Sequence, residues 1–190
     1  MGHLLDKIAS GEPAPASGSA AAAVVAASAA LVQKVARLSG SHMPGEAVAF
    51  FERAERVRLH AEELIEHDTR AYLDYLAARR AGVGVDEAAA RTVEVPLDIC
   101  RSAGEVVEMA VQVAARGNPN LREDAVIAAI LGEAAARSAA RLVSANLGAS
   151  SRDPRRIEAG RLVRAASAGV KGLAGAPRRG RARSEGSDQS

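Results

Sequence analysis

Residues 20–30 of this 190-residue chain are only alanine, valine and serine, in the order Ala20-Ala21-Ala22-Ala23-Val24-Val25-Ala26-Ala27-Ser28-Ala29-Ala30. Alanine is the best helix former, and it leaves little side chain to hold neighbouring backbones apart. This stretch therefore predicts a helix whose neighbours pack very close, at the centre of a helical protein. The apolar run Ala20–Val32 is shorter than the roughly 20 strongly apolar residues of a membrane span, and Lys34 and Arg37 follow it. It reads as a buried core helix, and no membrane partner is expected.

No sustained apolar–polar alternation occurs anywhere, so strands are not expected. A first helix is expected near Leu4–Ala9, followed by a Pro/Gly/Ser loop over residues 11–19. The second helix reads as Ala20–Leu38, and Pro44 opens a long third to about Arg80, stopped by Gly82 and Gly84. Asp86 begins a fourth, which Pro96 should kink or split. Asn120 is placed to cap a fifth helix, with Glu123 completing a capping box, and this helix runs to Asn146. A sixth spans about Pro154–Leu173. Short connections imply antiparallel neighbours, hence an all-α, multi-helix antiparallel bundle of about six helices over residues 1–173. Residues 174–190 read as a disordered basic tail.

Charge narrows the partners. Arg178, Arg179, Arg181 and Arg183 against Glu185 and Asp188 account for the whole net charge of +2, so the body is neutral. Aromatic residues make up only 2% of the chain. A nucleic-acid binder needs a basic folded surface and rings to stack on bases, so no nucleic-acid partner is expected. Cys100 stands alone, which excludes a disulfide framework and suits a cytoplasmic setting.

One charge falls on the wrong face. On a helical wheel Asp68 lies amid Phe50, Val57, Ala61, Leu64, Ile65, Tyr72 and Tyr75, in the middle of the apolar stripe. A carboxylate there is costly unless hydrogen-bonded, and desolvation raises its pKa toward the range that proton transfer uses. The alternative is a structural buried aspartate. Asp124 in the first turn of the fifth helix, and Asn118 and Asn120 before it, have good charge–dipole and capping explanations. Ser17 and Ser19 likewise suit plain N-capping. His60, Glu63 and His67 share a helix edge, but no metal-ligand pattern is recognised and no metal is expected.

Several segments together resemble the cyclodeaminase/cyclohydrolase family, which includes the C-terminal domain of formiminotransferase-cyclodeaminase and methenyltetrahydrofolate cyclohydrolases. Pro13-Ala14-Pro15-Ala16-Ser17-Gly18-Ser19-Ala20-Ala21-Ala22 is similar to its glycine-rich opening. Asp68-Thr69-Arg70-Ala71-Tyr72 resembles its Asp-x-x-Ala-(Phe/Tyr) motif. Val95-Pro96-Leu97, Gly117-Asn118-Pro119-Asn120-Leu121-Arg122-Glu123-Asp124 and Ala145-Asn146-Leu147 follow in register. The resemblance implies an all-helical homodimer acting on one-carbon tetrahydrofolates. It would be a formimidoyltetrahydrofolate cyclodeaminase or a methenyltetrahydrofolate cyclohydrolase, with a folate substrate and no cofactor. It carries the catalytic acid to Asp68, and substrate binding to Ser17, Gly18, Ser19, Tyr72, Asn118, Asn120, Asp124 and Asn146. Two of the family's loop glycines are Ala16 and Ser17 here. A second reading is therefore a catalytically decayed member serving as a dimeric helical partner or regulatory protein. A third is a generic bundle whose basic tail is the interacting element.

Overall fold

The computed structural model describes residues 2–148 and 152–175. Their six α-helices are α1 (Gly2–Ile8), α2 (Ser17–Arg37), α3 (Ala47–Ala81), α4 (Val85–Arg116), α5 (Arg122–Asn146) and α6 (Pro154–Gly175), with a single 3-10 turn at Pro119–Leu121. No β-strand occurs among the described residues. The fold class is the expected one. The proposed tail lies, from residue 176 onward, outside the described residues.

Helices α2 to α5 run up, down, up and down around one core. Each packs on its sequence neighbour, α2 closes the ring against α5, and α6 lies in the groove between α4 and α5. The α3–α4 turn is made where two glycines adopt left-handed backbone, Gly82 (φ 70°) and Gly84 (φ 67°), so the chain reverses there without steric strain.

Small side chains set the spacing. Helix α2 buries Ala21, Ala22, Val25, Ala26, Ala29, Val32 and Val35 against three other helices. It is the single described helix long and apolar enough to cross a bilayer, yet it is packed as the core of the bundle. Ser28, fully buried, resolves its polarity by donating to the Ala128 carbonyl of α5 at 2.6 Å. At the α4–α5 crossing Gly132 faces Ala103, and a Cβ on it would stand 2.8 Å from Val107 Cγ2 and 3.4 Å from the Ala103 carbonyl. The buried Cys100 packs there too, its thiol pushed up to about 11 by burial, so it acts as a small apolar residue.

Three local expectations are corrected. Helix α2 begins at Ser17, so Ser17–Ser19 form its first turn rather than the end of a loop. Its N-cap is Ala16, with no side-chain cap, so neither Ser17 nor Ser19 caps it. Helix α4 is continuous through Pro96, so the split does not occur. The missing N–H leaves the Thr92 carbonyl without its helical donor, and Asn146 Nδ2 of α5 supplies one at 2.6 Å. Asn120 does not cap α5. Asn118 does the capping instead, its side-chain oxygen accepting from the Asn120 N–H at 3.0 Å to start the 3-10 turn, and α5 follows from Leu121.

Close packing at Gly132 is testable. Gly132→Val inserts three carbons where α4 and α5 touch. It should lower unfolding stability by about 1–3 kcal/mol, read as a reduced urea midpoint.

Candidate functional site

A cavity of about 270 Å³ opens where the start of α2 meets α3, α4 and the end of α5. That is just below the usual range of small-molecule clefts, ~300–1,000 Å³. Pro13, Ala14, Ala16, Ser17 and Gly18 form one wall. Asp68, Ala71 and Tyr72 come from α3, Thr92, Val95 and Pro96 from α4, and Leu142 and Asn146 from α5. Proline shapes the α4 wall, and the Asn146–Thr92 bond ties that wall to α5.

Asp68 is the carboxyl group in this lining. Its Oδ2 accepts from the Ser19 N–H at 2.8 Å and from the Ser19 hydroxyl at 2.9 Å. The Ser19 hydroxyl also lies 3.1 Å from the Ile65 carbonyl and 3.2 Å from Thr69 Oγ1. Having one proton, it should give it to the nearer and charged acceptor. Desolvation pushes the Asp68 carboxyl above the ordinary carboxylate range, and the two Ser19 donors partly oppose that rise. The acid is thus half-buried, without an ion pair among the described residues, and beside a void: a group able to hold or release a proton toward a ligand.

Glycine at position 18 is required by this arrangement. A Cβ there would lie 1.9 Å from Asp68 Oδ1. Ala16 and Ser17, which replace the other two glycines of the motif, are exposed at the rim. The substituted positions are those where a side chain has room.

The residues singled out in sequence divide into two groups. Asp68, Ser17, Gly18, Tyr72 and Asn146 line the cavity, and Ser19 lies directly behind the acid, fully buried. Tyr72, 42% exposed, stands at the mouth. Asn118, Asn120 and Asp124 are at the opposite end of the bundle. The Asn118 N–H donates to Ser39 Oγ at 2.8 Å, its Nδ2 donates to the Leu38 carbonyl, and Asp124 pairs with Lys34 at 2.7 Å. Lys34 is about fifteen residues along α2 from Ser19, or roughly 22 Å. Within one chain these three residues are not brought to Asp68. Sequence reasoning missed Thr92 and Pro13, whose signals were a helix-breaking proline four residues downstream and a loop proline. The edge His60–Glu63–His67 shows His60 Nδ1 3.8 Å from Glu63, and no group of three or more His, Cys, Asp or Glu able to hold a metal exists among the described residues.

Fold and cavity together define an all-helical bundle that carries a half-buried, desolvated carboxyl group at the wall of a cleft. The chain belongs to the formiminotransferase-cyclodeaminase family, whose sequence profile matches residues 1–161. A methenyltetrahydrofolate cyclohydrolase of Methylorubrum extorquens is 34% identical to it over 160 residues, covering 75% of this chain and 76% of that protein. A crystal structure of formiminotetrahydrofolate cyclodeaminase from Thermotoga maritima has the same fold, with a TM-score of 0.78 at 24% identity, over 91% of this chain and 90% of that one.

The raised Asp68 pKa has a signed consequence. Folding favours the protonated acid, so its contribution to stability is complete below the unfolded-state pKa and is lost as pH rises through the higher folded-state value. Asp68→Asn removes that loss. Urea midpoints of wild type and variant measured from acid to neutral pH should diverge, with the variant gaining relative to wild type as pH increases.

Proposed function

We propose that the chain is a one-carbon tetrahydrofolate enzyme, a formimidoyltetrahydrofolate cyclodeaminase or methenyltetrahydrofolate cyclohydrolase, in which Asp68 moves the proton. The observation that carries this reading is a desolvated carboxyl group at the wall of the cavity, with no ion pair among the described residues. Family membership supports the folate chemistry.

In cyclodeamination a folate nitrogen attacks the carbon of the protonated formimino group. The new C–N bond forms as the attacking nitrogen gives its proton to Asp68, and the same proton then goes to the amine, which leaves as ammonia. The cationic methenyl product takes up the charge. In cyclohydrolysis the carbon is already electrophilic, and Asp68 takes a proton from the attacking water as the new C–O bond forms. That proton goes to the ring nitrogen as its C–N bond breaks, and the remaining hydroxyl proton is released to solvent as the formyl C=O forms, which discharges the positive charge of the substrate. Carbon keeps its oxidation level in both directions, so the chemistry calls for no redox cofactor. Exclusion of water strengthens the attraction between the carboxylate and the cationic carbon. Tyr72 at the mouth offers a ring face for a pterin, and Ser17 and Asn146 offer polar atoms around it.

A homodimer is part of this reading. Helix α2 presents Ala20, Val24, Ala27, Leu31 and Lys34 at alternating four- and three-residue steps on its outer face, the spacing of a helix–helix seam. Alongside on α5 stand Ile127 and Ile130, each 48% exposed, and Ala134. A two-fold axis crossing the middle of α2 would lay the partner's polar end, Lys34 with Asp124 and Asn118, beside this chain's Asp68 cavity. That pairing would reconcile the two separated groups of motif residues.

Two measurements test the reading. Purified protein should accelerate the loss of near-ultraviolet absorbance of 5,10-methenyltetrahydrofolate or form that compound from the formimino substrate, and Asp68→Asn should reduce the rate at least 100-fold. Inactivity toward both compounds would leave the non-catalytic partner reading in its place. Light scattering at micromolar concentration should give a dimer mass, and the double variant Ile127→Glu, Ile130→Glu should give a monomer with unchanged helical content.

A further inference from the structure

The acid has two oxygens, and the chain treats them differently. Oδ2 receives both Ser19 donors, the N–H at 2.8 Å and the hydroxyl at 2.9 Å. Oδ1 has no hydrogen-bond partner among the described residues. It lies over Gly18, in the space a Cβ would take, and both residues line the cavity. Ser19 itself is fully buried and does not line the cavity. A buried hydroxyl behind the acid cannot be a substrate contact, and its geometry gives it different work.

We propose that Ser19 is a positioning residue that clamps Oδ2, and that Oδ1 is the oxygen that exchanges the proton with the ligand. The inference deepens the reading of Asp68 as the proton carrier and rests on it for the catalytic half of the claim. A proton on Oδ2 would compete with two donors already pointing at that atom, whereas Oδ1 meets no such conflict. When the attacking nitrogen or water is deprotonated, its N–H or O–H bond breaks as the Oδ1–H bond forms. Release reverses this at the departing nitrogen, while both bonds from Ser19 persist. The carboxylate therefore need not rotate between the two transfers. Gly18 is the companion of this device: the glycine is retained because a side chain there would occupy the place of Oδ1.

Ser19→Ala deletes one donor to the ionised acid and keeps the backbone N–H. In protein labelled with ¹³C-carboxyl aspartate, with the Asp68 resonance assigned by its absence in Asp68→Asn, the Asp68 titration midpoint should move upward by roughly one pH unit, the size of a lost hydrogen bond to a charged group. The acid limb of the pH–rate profile should move with it. Ser19→Cys, which keeps the shape and offers a weaker donor, should shift the midpoint in the same direction and serves if the alanine variant does not fold. Thr69→Val, which alters a neighbour of Ser19 without touching Asp68, should leave it in place. An unmoved midpoint in folded Ser19→Ala and Ser19→Cys overturns the proposal. If wild type turns over neither folate while the midpoint still moves, the clamp stands and the folate reading falls, so the two failures are distinct.

Discussion

The first turn of α2 closes on Asp68 through two bonds to a single oxygen. Much of the local structure depends on that contact. It requires glycine at position 18, where the acid overlies the backbone. It requires a helix that starts at Ser17, so that the Ser19 N–H, one of the N-terminal donors without an intrahelical carbonyl, is free to bind outside the helix. It also lowers the cost of desolvating a carboxylate amid Leu64, Ala61 and Ala71 enough for the group to persist there. A helix terminus and a half-buried anion each satisfy what the other lacks.

The alanine-rich run, the glycine stops after α3 and the absence of strand patterning made the bundle legible in the residues, because helical period and chain reversal are local properties. Asp68 was legible for the same reason: a wheel shows which face a residue shares. Its partner was not. Ser19 lies 49 positions away, and a serine near a helix start has a good local explanation in capping. That α4 does not split at Pro96 has a related cause. A proline in a helix is costly when judged from its own segment, and the compensating donor, Asn146, lies 54 residues from the carbonyl it serves. Long-range satisfaction of polar groups is the part that local rules do not reach.

The motif residues at the far end of the bundle show the opposite limit. Asn118, Asn120 and Asp124 sit together in the sequence motif, yet Asn118 is bonded to Ser39 and Leu38, the Asn120 N–H to Asn118, and Asp124 to Lys34, and they stand a helix length from the acid. Motif resemblance conveys which residues travel together through a family. It carries no information on whether one copy of the chain assembles them.

Arg156 of α6 donates to the carbonyls of Ser144 and Gly148 at the end of α5, and Asn146 between them holds the Thr92 carbonyl exposed by Pro96. The wall of the cleft on α4 is thus fastened through the tip of one helix to the base of another. A disturbance at the root of α6, remote from any bound molecule, would be felt in the cleft as a loosened panel rather than as a lost contact.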